Sequence, residues 1–182
     1  MKTAILSICF SLCFWCSVSA QFVLTDGGFK DVADTSKAYI VLPVNGKTQN
    51  DLYNETKKFI TASYVSAKDV LSESYPEMLS ISGYDDFALK TIGLAGRVSC
   101  DLHYKVNAHF KDNRLRIEFI IVDLRYQTTS IPLKYSHGTV GIFRKNGEVR
   151  DEVAKAQLEE TANSFVNGLI TALNGHSSDD TW

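Results

Sequence analysis

The sequence predicts an α+β domain, and three observations carry that prediction. Thirteen residues from Val98 to Phe110 alternate apolar and polar without a break. A second alternating run, Arg114 to Tyr126, follows across the turn pair Asp112-Asn113. A strand-then-helix pattern precedes this pair, and a long amphipathic segment closes the chain. Patterns of period two and period 3.6 in one chain call for a sheet with one buried face and helices to cover it.

In chain order, Met1 to Ala20 reads as a secretory signal peptide. Lys2 is the positive end, Ala4 to Trp15 the apolar stretch, and Val18-Ser19-Ala20 the cleavage site before Gln21. The apolar stretch falls short of the roughly 20 residues that span a bilayer. Lipidation at Cys16 is disfavoured because bulky Phe14 and Trp15 precede it, where small residues are wanted. Cys9, Cys13 and Cys16 leave with the leader, so Cys100 stands alone and no internal disulfide forms. Gln21 to Lys37 has little periodicity and holds Gly27-Gly28; it reads as a loose N-terminal arm. Ala38 to Val44 (AYIVLPV) reads as a strand ended by Pro43 and Asn45-Gly46. Thr48 and Asp51 form a capping box that starts a helix. Leu52, Thr56, Phe59 and Ser63 share its apolar face, and it ends near Tyr64.

Val65 to Tyr84 lacks a clear period, although Met78 to Ser82 reads as a short strand. Phe87 to Ala95 reads as another, with Gly93 marking a bulge or a close backbone approach and Gly96-Arg97 turning into the next strand. A two-residue turn at Asp112-Asn113 then sets Phe110 opposite Leu115, Ala108 opposite Ile117, Val106 opposite Phe119 and Tyr104 opposite Ile121. The apolar sets fall on one face, which fixes the register independently of the turn. Thr128 to Leu133 reads as a connection and Thr139 to Arg144 as a short strand before a turn at Asn146-Gly147. The closing helix is expected from Glu148 to Leu173. Its stripe is Val149, Val153, Ala156, Ala162, Phe165, Val166, Leu169, Ile170 and Leu173. Gly175 ends it, and His176 to Trp182 is a polar, frayed tail. Residues 38–175 make one domain, with no repeat and no linker.

The AYIVLPV strand, the helix containing NETKKFI, Ser66-Ala67-Lys68-Asp69-Val70, the glycine-bearing TIGLAG and the run RVSCDLHYKVNAHFKDNRLRIEFIIVDL together resemble a known family. It is a family of exported bacterial domains of unknown function with a TATA-binding-protein-like (TBP-like) fold. The resemblance covers roughly Ala38 to Val122. It implies the order β-α-β-β-β-β-α, with a curved antiparallel sheet and two helices packed on one face. It implies no activity, and Tyr75 to Asp85 departs from it by looking longer than the usual connection.

Charge restricts the partners. Nineteen basic against 21 acidic residues give −2, and losing Lys2 with the leader gives −3. That balance does not suit a nucleic-acid or anionic-membrane binder. DNA binding by a TBP-like sheet would need a basic face, whereas Asp101 and Glu118 stand here beside Arg116 and Lys105. Cys100 and His103 form C-x-x-H, but strand parity sends them to opposite faces, so Cys100 is expected as inert core. Asp101, His103 and His109 share a face, yet 103 and 109 lie about 20 Å apart along a strand, too far to ligate one ion. No metal site and no cofactor are expected. No G-x-S-x-G, H-E-x-x-H, P-loop or dinucleotide fingerprint occurs. The acidic pairs Asp85-Asp86, Glu159-Glu160 and Asp179-Asp180 suit solvated surface, and the sequon at Asn54 falls inside a helix.

One strip exceeds what solvation explains. Carried along the same register, the second face pairs His109 with Arg116, Asn107 with Glu118, Lys105 with Ile120, His103 with Val122 and Asp101 with Leu124. Ile120, Val122, Leu124 and Tyr126 then line one strand at a spacing of two. Either Gln127 to Tyr135 or the arm with Phe22, Val23 and Leu24 folds over this strip, or it docks a partner, an apolar ligand or a second copy of the chain. The expected function is that of a non-enzymatic domain of the periplasm or extracellular space, acting through protein or small-ligand contacts without a membrane span. The alternative is an exported hydrolase whose catalytic residues lie scattered in the sequence.

Overall fold

The computed structural model describes residues 21–64, 70–93, 96–136 and 141–175. The expected signal peptide and tail lie outside them. Strands β1 (Phe22–Thr25) and β2 (Gly28–Asp31) form an N-terminal hairpin, and β3 (Ile40–Pro43) leads into α1 (Gln49–Ser63). Four strands follow: β4 (Leu71–Ser74), β5 (Met78–Gly93), β6 (Gly96–Lys111) and β7 (Arg114–Tyr126). A short β8 (Thr129–Ser130) and the long α2 (Glu152–Gly175) complete the chain. The main sheet is antiparallel in the order β3-β7-β6-β5-β4, with β8 beside the end of β7.

The predicted hairpin forms in the expected register from Lys111↔Arg114 to Tyr104↔Ile121. Asn113 takes the left-handed conformation, φ 62°, that a tight two-residue turn asks of it. The first helix also begins as read. The Thr48 hydroxyl accepts the Asp51 N–H (3.2 Å), and the Asp51 carboxylate accepts the Thr48 N–H (3.0 Å). Its buried residues are Leu52, Tyr53, Thr56 and Ile60, so Ser63 drops out of the face.

Four expectations need correction. Gln21 to Lys37 is no loose arm: Phe22, Leu24 and Phe29 are buried, and the Phe22 and Phe29 rings, tilted against each other, each stand edge-on to Phe119. Met78–Ser82 and Phe87–Ala95 do not make two strands. Their described residues belong to the single β5, which ends at Gly93 and carries a register shift between Asp85 and Leu89 with Phe87 at φ 54°. Residues 94–95 lie outside the description, and the extra strand is β4. The described part of Thr139 to Arg144 adds no strand to the sheet. It makes isolated bridges from Phe143 to Lys134 and Val149, and residues 139–140 lie outside the description. The closing helix starts at Glu152, four residues late, because Arg144 N–H and Arg150 N–H commit the preceding segment to a turn with Glu148 and Ile142. The expected stripe holds from Ala162 to Leu173 and fails only in the first turns, where Ala154 and Leu158 are buried in place of Val153 and Ala156. The buried positions are Ala154, Leu158, Ala162, Val166, Leu169 and Leu173, while Val153 is exposed.

Both helices bury against the same face of the sheet, and Phe59 meets Phe165 edge-on between them at 5.7 Å. Helix α2 also ties down strand edges. Asn163 pairs with both the N–H and the carbonyl of Phe22, and Glu159 accepts the Leu24 N–H (2.8 Å). Toward its start, Gln157 accepts the Lys90 N–H and Asp151 the Ile92 N–H, each at 2.8 Å. Side-chain acceptors on the edge of β5 satisfy donors that would otherwise template pairing with another chain.

Candidate functional site

With both helices on one side, the other face of the sheet is left open. Its composition follows from strand parity and register. Nearest the Asp112-Asn113 turn, Pro43, Arg114 and Lys111 stand in one cross-strand row, and Val41, Arg116, His109 and Met78 stand in the next. Glu118, Asn107 and Ser80 follow, then Ile120, Lys105 and Ser82. The third row is internally bonded. Ser80 Oγ donates to Asn107 (2.8 Å), and Asn107 Nδ2 to Glu118 (3.3 Å). The Arg116 guanidinium donates to Glu118 (2.7 Å) and lies over the Tyr39 ring at 4.8 Å.

The expected apolar strip is broken in two. Tyr104 opposes Ile121, but His103 opposes Asp123, so Val122 is an extra residue in a β-bulge. One inserted residue reverses parity beyond it. The pairs His103–Val122 and Asp101–Leu124 therefore do not form; Leu124 lies opposite Leu102 and Asp101 opposite Arg125. Leu124 is buried and Tyr126 packs on the core, whereas Ile120 (42% exposed) and Val122 (64%) remain on the open face. Neither proposed cover reaches those two residues. The N-terminal hairpin sits in the core, and Gln127 to Tyr135 lies beside the end of β7, with the Ile131 N–H on the Leu124 carbonyl (2.7 Å).

The turn end of the face is a basic pocket of about 300 Å³ lined by Tyr39, Val41, His109, Lys111, Arg114, Leu115 and Arg116. The turn beside it is pinned to the loop between β3 and α1. Gly46 N–H donates to the Asn113 side chain, Val44 N–H to the Asn113 carbonyl and Gln49 N–H to Asp112, each at 2.8 Å. At the far end, Asp101 accepts the Phe87 N–H and the Tyr84 hydroxyl, both at 3.0 Å, which hold its carboxyl below the usual range. Tyr84, beside Asp86 and Asp101, is pushed up to about 12, and its ring stands edge-on to His103 at 4.3 Å. Asp123 is held low chiefly by the Ser130 hydroxyl at 2.5 Å.

Behind the sheet a broader cleft opens between the C-terminal end of α1, the first half of α2 and β5. Phe59, Tyr64, Ala88, Tyr104 and Phe165 wall it, and Asp85 and Glu160 supply carboxylates. Gly83 is required there: a Cβ at this position would sit 2.1 Å from the Tyr104 ring, which crosses the backbone to bring its hydroxyl within 2.9 Å of Tyr64. Burial, reinforced by Asp86, pushes the Asp85 carboxyl up.

The remaining sequence candidates separate as parity requires. Cys100 is fully buried, and burial pushes its thiol up to about 11; His103 lies on the opposite, open face. Asp101 and His103 share that face but gather no third ligand, and no cluster of three metal-ligating residues occurs among the described residues. No helix among them is long and apolar enough to cross a membrane. Sequence reasoning paired His109 with Arg116 correctly but assigned the row to solvation. The signal for the basic pocket was Lys111 and Arg114 immediately flanking the turn on that same parity.

An open antiparallel sheet with two helices on one face and a bare second face defines an α+β domain of TBP-like fold. Residues 39–127 match the family described as a domain of unknown function (DUF4468) with TBP-like fold. A DUF4468 family protein from Bacteroides ovatus is similar in structure, with a TM-score of 0.53 and 12% identity over 80% of this chain and 90% of that one. A TBP-like protein from Parabacteroides distasonis is similar at 0.49 and 11% identity, over 75% and 88% of the two chains. No curated protein matches the chain.

Proposed function

We propose that this chain is an exported, non-enzymatic binding domain that holds a protein or small ligand against its open sheet face. The observation that carries the reading is the state of that face. Ile120 and Val122 stand uncovered beside a bonded polar row, and a cationic pocket lies at one end. Exposed apolar side chains next to ordered polar groups are the composition of recognition surfaces. The leader argues for export, with cleavage between Ala20 and Gln21 and no lipid on Cys16.

Native mass spectrometry of protein purified from its own cell envelope tests this reading. The expected result is a mature chain beginning at Gln21 that carries a bound partner or ligand, lost in Val122→Lys and retained in the helix-side control Lys155→Gln. A ligand-free monomer, or equal loss in the control, refutes the binding reading; an acylated Cys16 refutes the leader assignment.

The cleft with Asp85 and Glu160 favours a second reading, an exported hydrolase, because two carboxylates there share a wall of tyrosines and one is pushed up by burial. Turnover of any glycoside or ester abolished by Asp85→Asn would establish it.

A further inference from the structure

Resting on the binding reading above, we propose that the basic pocket at the turn end of the open face is a site for a phosphate-type oxyanion. Three features of the pocket point there together. First, its charge is unbalanced. Lys111 lies directly opposite Arg114, and His109 directly opposite Arg116, with the two rows adjacent on one face. Cross-strand neighbours stand about 5 Å apart, and two cations so placed, Lys111 and Arg114, destabilise a hairpin. The chain as a whole carries −2, so this cluster is local and runs against the overall balance.

Second, the lining itself contains no carboxylate, and of the two nearby ones only Glu118 pairs with one of its cations, Arg116. Glu118 is held by Arg116 and Asn107, and Asp112 accepts the Gln49 N–H at the start of α1. Lys111, Arg114 and His109 have no partner among the described residues. Arg116 uses only Nη2, toward Glu118, and its buried Nε has no acceptor among the described residues. A fork of guanidinium donors beside an ammonium group suits a tetrahedral oxyanion better than it suits solvent.

Third, the pocket is held in shape. Tyr39 carries the Arg116 guanidinium on its ring at 4.8 Å, and the pinned turn fixes the backbone from which Lys111 and Arg114 project. Preorganised donors lose less freedom on binding. A volume of about 300 Å³ is at the small end for ligand sites, room for one phosphorylated group and an attached ring rather than a polymer. Val41 and Tyr39 offer that ring an apolar wall.

A free phosphate ester and a lipid phosphate headgroup share this chemistry, and two arms distinguish them. In the first, mature protein is titrated with inorganic pyrophosphate and with glucose 6-phosphate at low, constant ionic strength, and backbone amide shifts are followed by NMR. Saturable shifts centred on His109, Lys111, Arg114 and Arg116 are expected. Binding should weaken about tenfold in Arg114→Gln and again in Lys111→Gln, as loss of a charge-assisted contact implies, and stay unchanged in Lys155→Gln. Both pocket variants alter exposed side chains, so their folding is checked simply by unchanged melting. In the second arm, co-sedimentation with phosphatidylglycerol vesicles that Arg114→Gln abolishes assigns the headgroup, whereas soluble binding without sedimentation assigns a free ester. Absence of saturable binding in both arms overturns the proposal, as does binding that the control variant weakens equally. If the envelope-derived protein nevertheless carries a ligand that Val122→Lys removes, the binding reading survives and only the oxyanion assignment falls.

Discussion

Truncating Phe29 measures whether the N-terminal hairpin is part of the domain or an appendage. Its ring is 3% exposed and lies 5.7 Å from that of Phe22 and 5.3 Å from that of Phe119. Phe119 is in turn stacked on Tyr104 at 5.0 Å, so the hairpin is coupled through two rings to the centre of β6. Removing a buried phenylalanine from such packing costs about 3–5 kcal/mol, transfer and cavity together. An edge-on aromatic pair adds about 0.5–1.5 kcal/mol beyond area. Phe29→Ala, Phe119→Ala and the double variant form a cycle in which the two single losses exceed the double by roughly that coupling. Urea melts followed by tryptophan-independent far-ultraviolet dichroism supply the free energies, with Val32→Ala, on a half-exposed side chain, as the control expected within about 0.5 kcal/mol. A cost below about 1 kcal/mol for Phe29→Ala, or a cycle that closes to zero, would mean that the hairpin does not belong to the core.

Three further outcomes follow from the same geometry. Leu124→Ala should cost about 2–5 kcal/mol and Val122→Ala within about 0.5 kcal/mol; equal costs in urea would show that β7 has no bulge. Asp151 caps α2 through the Ala154 N–H, accepts the Ile92 N–H and Thr91 hydroxyl, and faces Arg97, so Asp151→Ala should cost about 2–4 kcal/mol. Burial pushes that carboxyl up, but these partners outweigh it and hold it below the ordinary value of about 4. Its contribution is therefore complete above about pH 4 and lost as pH falls through the lower folded value, and the gap between wild type and Asp151→Ala should close in acid melts; a gap that widens there refutes the assignment. Cys100, buried and pushed up to about 11, should resist a disulfide thiol reagent at pH 8 until the chain unfolds; fast labelling of the native protein would contradict its burial.

What the sequence makes legible depends on whether a local rule is also the rule that wins. The β6–β7 register was readable from Phe110↔Leu115 to Tyr104↔Ile121 because alternation and turn length agree there. The capping box at Thr48 was readable because all its atoms lie within four residues. The N-terminal hairpin was missed for the opposite reason. Its two four-residue strands are too short to show a period, and what orders them is distant: Asn163 and Glu159 on α2 and the ring of Phe119. The start of α2 was misplaced because Glu148 to Arg150 carries a helix-compatible pattern that pairing with Ile142 and Arg144 overrides. The bulge at Val122 has the largest consequence for function. The alternation changes phase there: apolar residues stand at odd positions through Ile121 and then at Val122, Leu124 and Tyr126. An unbroken strand would put Asp123 and Arg125 on core parity, a signal that reading one register through to Tyr126 passes over. Without the bulge Asp101 would oppose Leu124, putting a carboxylate and a leucine side by side on the open face while Leu102 lost its partner in the core. Inserting one residue pairs Leu102 with Leu124 inside and Asp101 with Arg125 outside. Burial chemistry on both faces thus favours the bulge, at the expense of one unpaired residue, and that residue is Val122, which the bulge leaves uncovered on the open face beside Ile120.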